Sequence, residues 1–171
     1  MQVGPRWIRI EMEPAWAHIR NLRRFVREFC VTAAVPAEVA DQVAMTTTEL
    51  LENATKYAST AWIAYEMQLS ARFAEVAVTN CANAAQQRIL REFLTQVMTG
   101  DPLAIYVEAL ERAPSGATPV VEEADDLIGF GEPGVDAPSQ SGLARIRYEA
   151  DADLSIRQEG DRVCVVARIP V

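Results

Sequence analysis

Glu49, Asn53 and Lys56 place an acid, an amide and a base at offsets i, i+4 and i+7. At about 100° per residue these three fall within roughly 60° of arc on one face of a helix. A carboxylate so placed can serve as a general base, an amide oxygen suits a hard cation, and an ammonium steadies an anion. Gln42 and Thr46 extend the polar stripe, while Ala40, Val43, Thr47, Leu50, Leu51, Ala54 and Ala58 occupy the opposite side. Lys56 is the only lysine among 16 basic residues, the rest being arginines, so the position asks for a compact point charge and not a planar fork. The plainer alternative is an ordinary amphipathic helix in which Glu52 and Lys56 form an i,i+4 ion pair.

The elements that must position this stripe follow from the pattern on either side of it. Trp7–Met12 alternates as an edge strand, and Ala15–Cys30 carries Trp16, Ile19, Leu22, Phe25, Val26 and Phe29 at helical spacing behind Pro14. Pro36 opens the motif helix, expected over about 37–57. Ala61–Ser70 and Phe73–Thr79 read as two strands of a hairpin. Helices are expected over 84–98, 102–112 and 142–149. Two strands follow, Asp153–Gln158 and Arg162–Ile169, joined by Glu159-Gly160-Asp161. Residues 114–140 hold four of the nine prolines and four of the eight glycines, the composition of a long mobile loop beside a site. The order β-α-α-β-β-α-α-loop-α-β-β predicts an α/β (α+β) two-layer sandwich, with helices on one face of a mixed or antiparallel sheet.

Bulk properties narrow the partners. At 171 residues, 50% hydrophobic and 23% charged, the chain is long enough for one domain spanning 1–171 with a real core. A net charge of −8 argues against nucleic acid or an anionic membrane as partner. Arginines gather at Arg6, Arg9, Arg20, Arg23, Arg24 and Arg27, and acids at Glu122, Glu123, Asp125, Asp126, Glu132 and Asp136. Two solvated faces explain that asymmetry; a partner surface is the other reading. No apolar run reaches membrane-spanning length and no signal peptide opens the chain, so a cytoplasmic protein is expected. Cys30, Cys81 and Cys164 are odd in number and widely spaced, and they read as buried free thiols in a reducing compartment. His18 is the only histidine, which excludes a multi-histidine metal site and leaves it a structural residue at a helix start.

Glu49-x-x-x-Asn53-Ala54-x-Lys56 resembles the Mg-binding helix motif of the GHKL (histidine-kinase-like) ATPases, which include anti-sigma-factor serine kinases. That resemblance implies Mg and ATP as cofactors, with Glu49 as catalytic base, Asn53 as the metal ligand and Lys56 at phosphate. It also implies two glycine boxes. At the first stands Asn80-Cys81-Ala82-Asn83-Ala84, with Asn80 in the place of the adenine-reading aspartate and alanines in the places of both glycines. At the second stands Ser141-Gly142-Leu143-Ala144-Arg145-Ile146, which keeps one glycine and the leucine. Asn80, Asn83, Gly142 and Leu143 thereby join the nucleotide-binding set, and the 114–140 loop becomes the lid. Asn80-Cys81-Ala82-Asn83, Asp101–Tyr106 and Ser141–Ile146 are similar to SiaB-type bacterial protein kinases, which also lack the usual first glycine box.

Three readings follow. The first is a bacterial partner-switching regulator, a serine/threonine protein kinase acting on a small anti-sigma-antagonist-like regulatory protein. The second is a degenerate binding module of the same fold, which sequesters such a partner without phosphorylating it. The third is an acidic interaction adaptor with no nucleotide. A homodimer is compatible with all three.

Overall fold

The computed structural model describes residues 6–112 and 141–171. In chain order they form β1 (Arg6–Met12), α1 (Trp16–Thr32), α2 (Ala37–Tyr57), β2 (Ile63–Leu69) and β3 (Phe73–Cys81). Then come α3 (Ala84–Thr99), α4 (Pro102–Arg112), α5 (Ser141–Glu149), β4 (Asp153–Glu159) and β5 (Arg162–Pro170). This is the expected succession, with boundaries shifted by a residue or two where strands and helices run into their turns. The expected lid over 114–140 and the acidic cluster from Glu122 to Asp136 lie outside the described residues.

Period-two alternation builds the sheet. Ile63, Tyr65, Met67 and Leu69 of β2 are buried, whereas Glu66 and Gln68 between them are exposed. Ala74, Val76 and Val78 of β3 and Val163, Val165, Ala167 and Ile169 of β5 continue the buried face. The strands lie in the order β1-β2-β3-β5-β4, and each neighbouring pair is antiparallel. Cross-strand partners on the opposite face are charged: Arg9 meets Glu66 at 2.9 Å, and Arg168 meets Glu75 at 2.8 Å. Two tight turns hold the register. The Ser70 hydroxyl oxygen accepts from the Arg72 and Phe73 amides at 3.3 and 3.1 Å. Gly160, at φ +63°, takes the left-handed conformation that strains residues with a β-carbon.

The helices complete the α+β sandwich. α2 lies against β2, β3 and β5, with α1 and α5 packed beside it, and α4 packs on α5. Ala40, Val43, Leu50, Leu51 and Ala54, the expected apolar side of α2, are all buried. Thr47, on the same side, donates to the Val43 carbonyl at 2.8 Å and meets the Tyr65 hydroxyl at 3.1 Å. The polar stripe is narrower than expected. Thr46 is fully buried, its hydroxyl lacking a hydrogen-bond partner among the described residues, and Ala44 and Met45 are buried too. The reason is that α1 and α5 close on both flanks of α2, so the helix hides a wider arc than a surface helix does.

Cys30 and Cys81 are buried as expected, and burial pushes the Cys30 thiol up to about 11, which makes it unreactive. Cys164 is only half-buried, because it falls at an outward position of β5. His18 sits in the first turn of α1 and is exposed.

Candidate functional site

Three elements far apart in sequence converge on one apolar cleft. α2 contributes Asn53 and Tyr57, β3 contributes Val78 and Asn80, and α5 contributes Leu143. α3 adds a further wall through Gln86, Ile89, Leu90 and Phe93, and β5 adds Val165. The cleft has a volume of about 70 Å³ as it stands, well below the roughly 300–1,000 Å³ of small-molecule sites. A nucleobase therefore needs the cleft to widen. Apolar walls with a few convergent amides are what a purine ring needs, since its faces are apolar and its edge donates and accepts.

Asn80 is 6% exposed, and its amide nitrogen donates to the carbonyls of Ala54 and Cys81 at 3.5 and 3.4 Å. The contact to Ala54 ties the centre of the sheet to the turn of α2 that bears Asn53. Asn83 is placed differently. It is exposed at the N-cap of α3, where its side-chain oxygen accepts from the Gln86 amide at 3.0 Å. The Gln86 side chain accepts from the Asn83 amide in return at 2.9 Å. This reciprocal capping box satisfies two of the helix's orphan donors. Asn83 is not among the cleft residues, whereas its partner Gln86 is. The spacing Asn83-x-x-Gln86 carries that signal in the sequence.

Glu49 lies one turn before Asn53. Its side chain is 15% exposed and paired with Arg145 of α5, whose terminal nitrogen donates to it at 3.2 Å. A β-carbon built on Gly142 would fall on the same carboxylate. The glycine of the second box therefore permits a close approach by Glu49, and the carboxylate occupies the ground at the start of α5 where phosphate is expected. Arg145 is shared: its Nε donates to Glu149 at 3.0 Å. Glu149 also accepts from the Tyr106 hydroxyl at 3.3 Å, and its carbonyl accepts from Gln42 at 2.9 Å.

Burial pushes the Glu49 carboxyl above the ordinary carboxylate range; Arg145 is the main force in the other direction, aided by Lys56. Glu52 is also raised, first by burial and then by the Glu49 charge, with Lys56 and Arg145 opposing. Lys56 thus acts on both Glu49 and Glu52. It is half-buried and does not line the cleft.

Asn53, Asn80 and Leu143 are therefore brought together, Glu49 and Gly142 meet beside them, Lys56 flanks the acids, and Asn83 sits at the rim as a cap. Sequence reasoning assigned no role to Arg145 or Glu149, although Arg145 lies three residues after Gly142, on the same side of a helix. Among the described residues no group of three or more His, Cys, Asp or Glu is placed to hold a metal ion. A cation here would have to share phosphate oxygens and waters with Asn53, an all-oxygen donor set that suits a hard cation such as Mg²⁺.

No protein-family model matches the chain, and no curated protein does. Among solved structures the chain is similar to one in the crystal structure of the SiaB-SiaC complex from Pseudomonas aeruginosa, with a TM-score of 0.66. The match covers 96% of this chain and 89% of that chain at 13% sequence identity. At that identity the likeness is one of fold alone.

Proposed function

We propose that this protein is a partner-switching regulator that binds Mg·ATP between α2, β3 and α5 and phosphorylates a serine or threonine of a small anti-sigma-antagonist-like protein. The observation that carries the reading is the convergence of Asn53, Asn80 and Leu143 on one cleft, with Glu49 one turn away. These residues come from three separate motifs of the resemblance, and a chance stripe on a solvated helix would not meet the other two. The likeness of fold to a chain of the SiaB-SiaC complex supports it.

In this reading Asn80 and the apolar walls take the adenine, and Asn53 holds Mg²⁺ through its amide oxygen. The bound ion would supply charge neutralisation at the phosphates. Glu49 accepts the proton of the acceptor hydroxyl as that oxygen bonds to the γ-phosphorus. The bond from the γ-phosphorus to the bridging oxygen breaks, and ADP leaves. Lys56 offsets negative charge on the same side of α2.

A second reading, the binding module without turnover, is favoured by the seat of Glu49 against Gly142. While the carboxylate stays there it repels a phosphate at the start of α5. Calorimetric titration of the full chain with Mg·ATP tests both. Binding that needs Mg²⁺ and is lost in Asn53→Ala, with an unchanged circular dichroism spectrum, supports the nucleotide site. Equal affinity in Asn53→Ala would sink it, and no binding at millimolar Mg·ATP would leave an interaction module or an adaptor.

A further inference from the structure

Glu49 and Arg145 are 96 residues apart and come from two different helices, yet they form one of the least exposed ion pairs of the described residues. The Glu49 side chain is 15% exposed and that of Arg145 is 41% exposed. An acid this buried is costly in its charged form unless a partner is fixed beside it. Arg145 is itself fixed, because Glu149 holds its Nε from the next turn of α5 at 3.0 Å, and the Tyr106 hydroxyl donates to Glu149 from α4. Glu49, Arg145, Glu149 and Tyr106 thus form a chain of contacts running from α2 through α5 to α4. Gly142 completes the seat by leaving room for the carboxylate.

We propose that Arg145 is a positioning residue: it seats the Glu49 carboxylate against Gly142 and divides its own charge between Glu49 and Glu149. Its role in phosphate transfer rests on the kinase reading above; its hold on Glu49 does not. The groups that face Glu49 are Arg145 and Glu149 of α5, Lys56 and Glu52 of α2, and Tyr106 of α4. Of these only Arg145 touches the carboxylate through a hydrogen bond. Arg145 is therefore the main group that favours the charged form of Glu49 against its burial, and Glu149, which shares the guanidinium, works in the other direction.

The test is a carbon-13 NMR titration of Glu49 in the full chain without nucleotide, its signal assigned by Glu49→Gln. Arg145→Gln should raise the Glu49 midpoint by about one pH unit or more, the scale of losing an adjacent opposite charge. Arg145→Lys should recover part of that shift. Glu149→Gln should move the midpoint the other way, because it removes a like charge and leaves the guanidinium to Glu49. A merely structural role would not give shifts of opposite sign. An Arg145→Gln midpoint equal to wild type, or a Glu149→Gln midpoint that rises, would overturn the proposal. Should Arg145→Gln fail to fold, the sign of the Glu149→Gln shift decides alone. If the wild type transfers phosphate, the acidic limb of its pH–rate profile should move with these midpoints. If it transfers none to any acceptor, the kinase reading fails and the titration still decides the role of Arg145.

Discussion

The carboxylate of Glu49 lies where a β-carbon on residue 142 would stand, and the arginine one turn along the same helix closes on it at 3.2 Å. Glu49 and Gly142 thus share one space. Residue 142 is a helical position with no left-handed backbone to strain, so Gly142→Ala tests space alone. The Glu49 carboxylate is the flexible end of its side chain and should yield, at little cost to the fold. We expect Gly142→Ala to keep its melting temperature within about 4 °C of wild type, since helix propensity returns up to about 1 kcal/mol. The Glu49 carboxyl signal should shift as it loses its seat. A loss of folding would mean that the carboxylate is held too firmly to move.

Glu49→Ala should separate binding from transfer. With a partner in hand, transfer should fall by about 10²–10⁴, the usual contribution of a general base, while the complex with that partner persists. Mg·ATP affinity should rise, because a negative charge leaves the start of α5. Calorimetry on the variant checks the sign, and weaker Mg·ATP binding would place the phosphates elsewhere.

Asn83 and Asn53 should behave differently although both are asparagines of the motif set. Asn83→Ala removes the N-cap of α3 and should cost about 0.5–2 kcal/mol in urea unfolding. Asn83→Ser should restore most of it, because serine caps nearly as well. Neither variant should change Mg·ATP affinity by more than a few fold, whereas a nucleotide contact at Asn83 would show as a larger loss in both.

Leu51, 1% exposed in the core beneath α2, should cost about 2–5 kcal/mol as Leu51→Ala, the sum of lost transfer energy and the cavity left behind. Equilibrium urea unfolding measures it. A cost below about 0.5 kcal/mol would mean that this side of α2 is not packed as described.

Glu52 gives the pH dependence. Burial raises its carboxyl in the folded chain, so the folded state holds the proton to higher pH than the unfolded one. Stability from this group is fully present below the ordinary carboxylate range and declines as pH climbs through the raised value. Glu52→Gln should therefore melt higher than wild type at pH 7. The difference should vanish near pH 4. A variant that melts lower at pH 7 would show the Glu52–Lys56 pair outweighing burial.

The sequence by itself determined the element order, because each segment is long enough for its period to show: two for β2 and β5, 3.6 for α1 and α2. It also determined the apolar side of α2 and the two turns at Ser70 and Gly160. Asn53, Asn80 and Leu143 could be named from motifs, since motif spacing is local. Only the tertiary structure decided what these residues meet. Thr46 looked solvated, yet the helices packed on α2 bury it, and the side-chain oxygen of Asn83 closes on the Gln86 amide at the start of α3. The empty β-position of Gly142 is taken by the carboxylate of Glu49, 93 residues earlier. Arg145 had no visible partner in the sequence because its partner lies on another helix. Periodicity reports which face of an element is apolar, and nothing in it reports which distant charge the fold will bring against that face.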